Sequence, residues 1–330
     1  MSTLLDFIHS QPGRIGLPVL TFPAGQIIGA TVEDFVTRAE VQVAGQVALR
    51  ERYDLKVLLT CMDLSVEAEA FGCEVALSAD EVPTVPGRLV TTREAAEALA
   101  IPAPGTARTA VALEAVRQLK ALPGGPLVLG GMLGPFSLAA RIYGVSDALS
   151  LTLEDPELAH LLVEKATRFL VAYAQAFKAA GADGVIMAEP TAGLLSPAAL
   201  GAFSSAYIHR VVTAVDDAAF TVVLHNCAAR MTHLPHVLAA GARVMHFGRP
   251  MDVVAALRAA PADRVICGNL DPATYWVQAT PDEMKAAARE LLAATAGSRN
   301  FVLSSGCDVP PKAPLANVDA FFAALREANG

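Results

Sequence analysis

No uninterrupted apolar run in this sequence approaches the roughly 18–20 residues that a membrane-spanning helix needs. Charge is also scarce: 18% of the 330 residues are ionic, 25 Lys and Arg against 33 Asp and Glu, with no basic cluster. A formal charge of −8 argues against a nucleic-acid partner or an anionic membrane surface, since neither attracts such a molecule as a whole. The stretch Met1–Ser10 has no basic segment followed by an apolar one, so no secretion signal is expected and a cytoplasmic location is. Cysteine is sparse and odd in number (Cys61, Cys73, Cys227, Cys267 and Cys307), which does not suit a disulfide framework in a chain of this size. Reduced thiols are then expected, with metal binding or plain burial as their uses. No G-x-G-x-x-G follows the first strand and no P-loop occurs, so a nucleotide-binding sheet loses its main support. Linkers, low-complexity segments and short repeats are missing as well, and residues 1–330 are expected to form one domain.

What is present is apolar material, 53% of the chain, much of it alanine that favours helix. From Leu127 onward short β-like runs alternate with longer helical ones. The runs are 127–130, 185–188, 222–225, 243–247, 264–268 and 301–305. Helices are predicted over Pro156–Ala180, Pro197–Ala214, Leu234–Ala240, Pro250–Ala259, Pro281–Ala294 and Leu315–Glu327, several opening with proline or an acidic first turn. Earlier, Pro18–Phe22 and Leu55–Thr60 read as strands and Thr31–Arg52 as one long helix, followed by an irregular excursion around 61–108. Such alternation implies a parallel sheet with helices outside it. Eight candidate strands suit a closed single (β/α)8 TIM barrel of the α/β class; an open doubly wound sheet is the alternative.

In a barrel the chemistry gathers at the carboxyl ends of the strands. The residues there are Glu189, His225, Cys227, His246, Asn269, Cys307 and Asp308. His225 and Cys227 follow one strand at i and i+2, so both side chains point the same way. Cys307 lies after the last strand and can converge on the barrel axis from the Gly-containing loop Ser304–Cys307. Two thiolates and an imidazole suit Zn2+, and three protein ligands leave a position open for an exchangeable group. Such a nearly neutral site is a poor generator of hydroxide but favours deprotonation of an incoming thiol. Simple burial is the competing reading for the cysteines, because a lone H-x-C has little specificity. His246 reads as a fourth ligand, a support for the ligands, or a structural histidine. Glu189 reads as a proton carrier or hydrogen-bond acceptor, or as a solvated strand-end carboxylate.

Several segments then carry a resemblance. MDLSVEAEAFGCEV (62–75), GGMLGPFSLAARIYG (130–144), GADGVIMAEPTAGLLSP (181–197), VLHNC (223–227), ICGNLDP (266–272) and SSGCDVPPKAPLANVDAF (304–321) resemble the uroporphyrinogen decarboxylase superfamily, and within it the methylcobamide:coenzyme M methyltransferase branch. That branch's H-x-C motif with a distant Cys falls on His225, Cys227 and Cys307. The resemblance implies a uroporphyrinogen decarboxylase-like (β/α)8 barrel, a zinc ion, and methyl transfer from a methylated corrinoid protein to a zinc-bound thiol such as coenzyme M. Glu189 and His246 are expected to assist that chemistry. The cobamide is expected on a partner protein, because the base-off corrinoid signature D-x-H-x-x-G is missing. Decarboxylases of the superfamily hold substrate carboxylates with an arginine-rich N-terminal segment, whereas here Leu20–Gly25 has no arginine, which disfavours porphyrinogen decarboxylation. Three other readings remain. One is transfer from a methylated donor to the corrinoid protein; another is a decarboxylase-like enzyme; the last is a non-catalytic zinc or corrinoid-docking subunit.

Overall fold

The computed structural model describes residues 3–330. Seven parallel strands pair strictly in chain order: β1 (Val57–Leu59), β2 (Leu127–Leu133), β3 (Gly184–Ala188), β4 (Thr221–Asn226), β5 (Val244–Phe247), β6 (Val265–Leu270) and β7 (Phe301–Ser305). Sequential order with no reversal excludes the doubly wound alternative, whose strand order turns back on itself. The result is an α/β fold with a curled, TIM-barrel-like sheet.

The expected eighth strand, Pro18–Phe22, does not form. Gly16 makes a single parallel bridge to Leu303 of β7, and Pro18, which lacks an N–H, cannot extend the ladder. On the other side of this segment the seam to β1 is spanned by a glutamine. The Gln46 side chain donates to Leu20 O at 3.0 Å and accepts from Leu59 N–H at 3.0 Å. Gln42, one turn earlier, donates to Phe35 O and accepts from Cys61 N–H. Both glutamines lie on the helix Ala39–Tyr53, so a helix supplies hydrogen bonds that a strand partner would otherwise make.

Strand parity sets which side chains reach the interior. Val57, Leu59, Leu127, Leu129, Ile186, Ala188, Val223, Val244, Val265, Cys267 and Val302 pack together inside the curl, and Leu4 and Ile8 of the helix Leu4–Ser10 close its amino end. The alternate residues face the surrounding helices. One step further along the inward parity stand His225, His246 and Ser304.

The helices follow their local signals with some corrections. Pro156–Ala179 starts at an Asp155 cap with proline in its first turn, and Pro281–Ala294 carries a capping box between Thr280 and Glu283. The long helix expected at Thr31–Arg52 is two, Val32–Thr37 and Ala39–Tyr53, broken where Arg38 is extended. The stretch expected as one helix at 197–214 contains a π-helical turn, Gly201–Ser205. Residues 250–252 lie outside the next helix, which begins at Val253 behind an Asp252 cap. Two helices not expected, Pro135–Tyr143 and Val145–Glu154, meet at Gly144 in a left-handed φ of 99°.

The excursion at 61–108 holds the helices Val66–Phe71 and Arg93–Ala98 and an Ala76–Thr84 bridge. A buried ion pair between Asp63 and Arg108 ties its two ends together, with Ser65 Oγ accepting from Arg108 at 2.8 Å. Among the described residues no helix is long and apolar enough to cross a membrane.

Candidate metal centre

The parity of β4 turns His225 into the interior at its carboxyl end, and the chain bends immediately afterwards. Asn226 Oδ1 makes that bend by accepting from the N–H groups of Ala228 and Ala229, at 3.3 and 3.0 Å. Cys227 is thereby carried back over the mouth. The loop after β5 presses close to it: a methyl at Gly248 would sit 2.2 Å from the Cys227 carbonyl oxygen, so only glycine fits there. Asn269 anchors that neighbouring loop by donating to Gly248 O and Met251 O. On the far side Gly306 N–H bonds Leu270 O at 2.6 Å, fixing the turn that presents Cys307.

His225, Cys227 and Cys307 come together, and their ligand atoms all lie within 4.8 Å of one another. The His225 side chain is buried, while Cys227 and Cys307 are half-buried residues. Cys307 hydrogen-bonds Cys227, an interaction that lowers the Cys227 thiol pKa against the opposing effect of burial. The same contact, with burial, pushes Cys307 up to about 12. His225 Nε2 is buried and has no hydrogen-bond partner, while Nδ1 lies 2.7 Å from Nδ1 of His246.

His246 is not in the three-residue group. Its second nitrogen, Nε2, lies 2.7 Å from Ser304 Oγ, and Ser304 in turn donates to Leu17 O at 2.6 Å. Both ring nitrogens therefore have protein partners. Glu189, one position past the inward-facing Ala188, points the other way, among the helices. It is fully buried, and burial raises its pKa. Oε1 accepts from Phe136 N–H and the Ser204 hydroxyl, and Oε2 from Ser137 N–H. These contacts join the start of the helix Pro135–Tyr143 to the π-helical turn that brings Ser204 round.

Cys61, Cys73 and Cys267 are buried apart from the group, and burial raises all three thiol pKa values. His233 serves packing, with Nδ1 accepting from Arg230 N–H and Nε2 against Leu195 O. Asp308 accepts from the Thr21 hydroxyl at 3.2 Å, which ties the loop after β7 to the seam segment. Ser304 was not singled out by sequence reasoning. Its only signal was a polar residue within an apolar run, two positions after inward-facing Val302.

Comparisons with known proteins follow the same lines. The family described as Uroporphyrinogen decarboxylase (URO-D) matches residues 19–328. A methylcobamide:CoM methyltransferase, MtbA, of Methanosarcina mazei is 30% identical over 261 residues, covering 78% of this chain and 75% of the relative. A methylated-thiol–coenzyme M methyltransferase of the same organism is 27% identical, covering 88% and 75%. Among solved structures, a methyltransferase from Methanosarcina mazei superposes with a TM-score of 0.87 at 24% identity, covering 98% of this chain and 97% of the other, a likeness of fold. The chain belongs to the uroporphyrinogen decarboxylase family.

Proposed function

We propose that this protein is a zinc-dependent methyltransferase that moves a methyl group between a methylated corrinoid carried by a partner protein and a small-molecule thiol. The observation that carries the reading is the orphaned, buried Nε2 of His225 beside the Cys227–Cys307 pair. A buried ring nitrogen without a partner is costly unless something else satisfies it. Two sulfurs and one imidazole are the donor set that suits zinc, and tetrahedral zinc, at about 2.3 Å from sulfur, sets neighbouring ligands a little under 4 Å apart. The residues present therefore fit the ion.

Zinc held there supplies the positive charge that keeps an incoming thiol deprotonated and nucleophilic near neutral pH. The chain's own residues do the rest. Cys227 and Cys307 bring two negative charges that nearly cancel that of the ion, which suits sulfur activation better than hydroxide formation. Asn226, Gly248 and Gly306 set the two cysteine-bearing turns. Glu189 acts from behind, holding the first turn of the helix Pro135–Tyr143 against β3, and His246 acts on His225 rather than as a ligand.

The two Methanosarcina relatives support this reading, being named as methyltransferases acting with methylcobamide, a methylated thiol and coenzyme M. Decarboxylation is less well supported. The seam segment brings Thr21 to Asp308 where the family's decarboxylases need cations for several carboxylates. The metal set serves either direction of transfer.

The test is metal analysis after equilibration with zinc and removal of excess, for wild type beside His225→Ala and Cys307→Ser. Methylcobalamin demethylation is then followed with coenzyme M and other thiols. One tightly held zinc in wild type, absent from both variants together with thiol methylation, is expected. Methylation that survives loss of Cys307 sinks the assignment.

A further inference from the structure

The metal-facing nitrogen of His225 is selected by a chain of single protons that begins at a backbone carbonyl. Ser304 Oγ lies 2.6 Å from Leu17 O, a separation that two oxygens hold only with a proton between them. Only the hydroxyl has a proton to give, and it has only one. Ser304 must therefore accept at its other contact, from Nε2–H of His246 at 2.7 Å. The two rings are 3% and 2% exposed, and no carboxylate hydrogen-bonds either of them among the described residues. Burial, with only an imidazole and a hydroxyl as the hydrogen-bond partners of His246, favours neutral rings. A neutral His246 protonated on Nε2 has a bare Nδ1, which faces Nδ1 of His225 at 2.7 Å. The proton between those nitrogens then belongs to His225. That leaves His225 Nε2 as a lone pair, and it is the ring atom without a partner.

We propose that Ser304 and His246 are positioning residues that lock His225 in the Nδ1–H tautomer and so present Nε2 to the metal. A free neutral histidine in water favours the opposite tautomer, so the pocket reverses an intrinsic preference. Metal-bound histidines are commonly oriented by a carboxylate or a carbonyl on their second nitrogen. Here a second histidine does that work, and the carbonyl stands two links further back. The anchor is Leu17, in the seam segment that bridges to β7. The metal role rests on the zinc reading above, whereas the tautomers belong to the metal-free protein and are measured without it.

The experiment uses the full chain, labelled with 15N-histidine and stripped of metal. Long-range 15N–1H correlation reads each ring's tautomer, and chelator competition reads zinc affinity. His225 protonated on Nδ1 and His246 on Nε2 are expected in wild type. Ser304→Ala should mix the tautomers of both rings and weaken zinc binding about 10- to 100-fold. Ser304→Thr, which keeps the hydroxyl, should restore both, and thermal unfolding of the metal-free variants controls for folding. His225 found protonated on Nε2 in wild type overturns the proposal, as does unchanged zinc affinity in a folded Ser304→Ala. Wild type that shows the expected tautomers but holds no zinc supports the relay and counts against the zinc reading alone.

Discussion

The side chain of Gln46 is bonded to the backbone of Leu59 across the edge of β1, its carbonyl oxygen 3.0 Å from the Leu59 nitrogen. Its amide nitrogen reaches Leu20 O on the other side, so one side chain stands in for a missing pair of ladder bonds. Gln46→Leu keeps the volume but strands a buried N–H and a buried C=O. The expected loss is about 2–4 kcal/mol of unfolding free energy, since each unsatisfied group costs about 1–3 kcal/mol. Urea unfolding of the purified variant reads it, and an unchanged midpoint would show that water or a backbone shift replaces the bridge.

Zinc should stabilise the folded chain by mass action. At a free zinc concentration about 100 times Kd, the gain is about 2.7 kcal/mol, and it should vanish on adding a chelator. Cys307→Ser should show little of this response. Equal stabilisation of wild type and Cys307→Ser would place the binding elsewhere.

Glu67 gives stability a pH dependence. It is fully buried, Oε1 accepts from Leu133 N–H at 2.8 Å, and desolvation pushes its pKa up to about 8. Raised above its unfolded value, it binds a proton more tightly when folded. Its contribution is therefore fully present below the unfolded carboxylate range and is lost as pH rises through about 8. The slope inside that window is at most about 1.4 kcal/mol per pH unit. Glu67→Gln should flatten the decline and overtake wild type at the alkaline end. Parallel stability profiles for the two proteins from pH 5 to 9 would refute the assignment.

Glu189 offers a sharper choice. As a proton carrier it would lose activity on conversion to Gln while the fold stayed intact. As the acceptor for Phe136, Ser137 and Ser204 it should lose stability instead. For Glu189→Ala the expected cost is about 3–5 kcal/mol, because three buried donors lose their acceptor. A stable Ala variant with abolished methyl transfer would restore the catalytic role.

Thiol chemistry should single out one cysteine in the metal-free protein. Cys227 is the thiol whose pKa is lowered, by the hydrogen bond from Cys307, and it is partly exposed. Cys307 is pushed up to about 12, Cys73 to about 11 and Cys267 to about 12, and Cys61 is also raised. Iodoacetamide at neutral pH should label Cys227 first, and zinc should protect it; peptide mass spectrometry identifies the modified residue. Preferential labelling of Cys307 would reverse the order of the pair.

The legible part of the fold was the second half, where apolar runs between proline- and acid-headed helices mark β2 to β7, within a residue at most ends but short by three residues at the end of β2 and two at the end of β6. The trio His225, Cys227 and Cys307 was legible too, because a barrel mouth forgives sequence distance, although Cys227 lies past the end of β4 and the bend at Asn226, not strand parity, brings it in. The direction in which Glu189 points was not. β3 is buried on both faces, so its sequence has no polar alternation to tell inside from outside. The seam was hidden for a related reason: Pro18–Phe22 has strand composition, while the groups that bridge there are glutamines on a helix. The His246–Ser304 link was equally invisible, since it depends on the register that sets β5, β6 and β7 side by side.

The bond from Ser304 to Leu17 also has a consequence for how the site comes into being. A growing polypeptide that has emerged only as far as β6 already carries His225 and Cys227. It has neither the second sulfur nor the hydroxyl that aligns the imidazole pair. Until the last strand is laid beside the opening segment, an ion meets two donors with an unsettled ring. The finished pocket is thus among the last features to be completed, and its assembly reports that β7 has met the Leu17 segment.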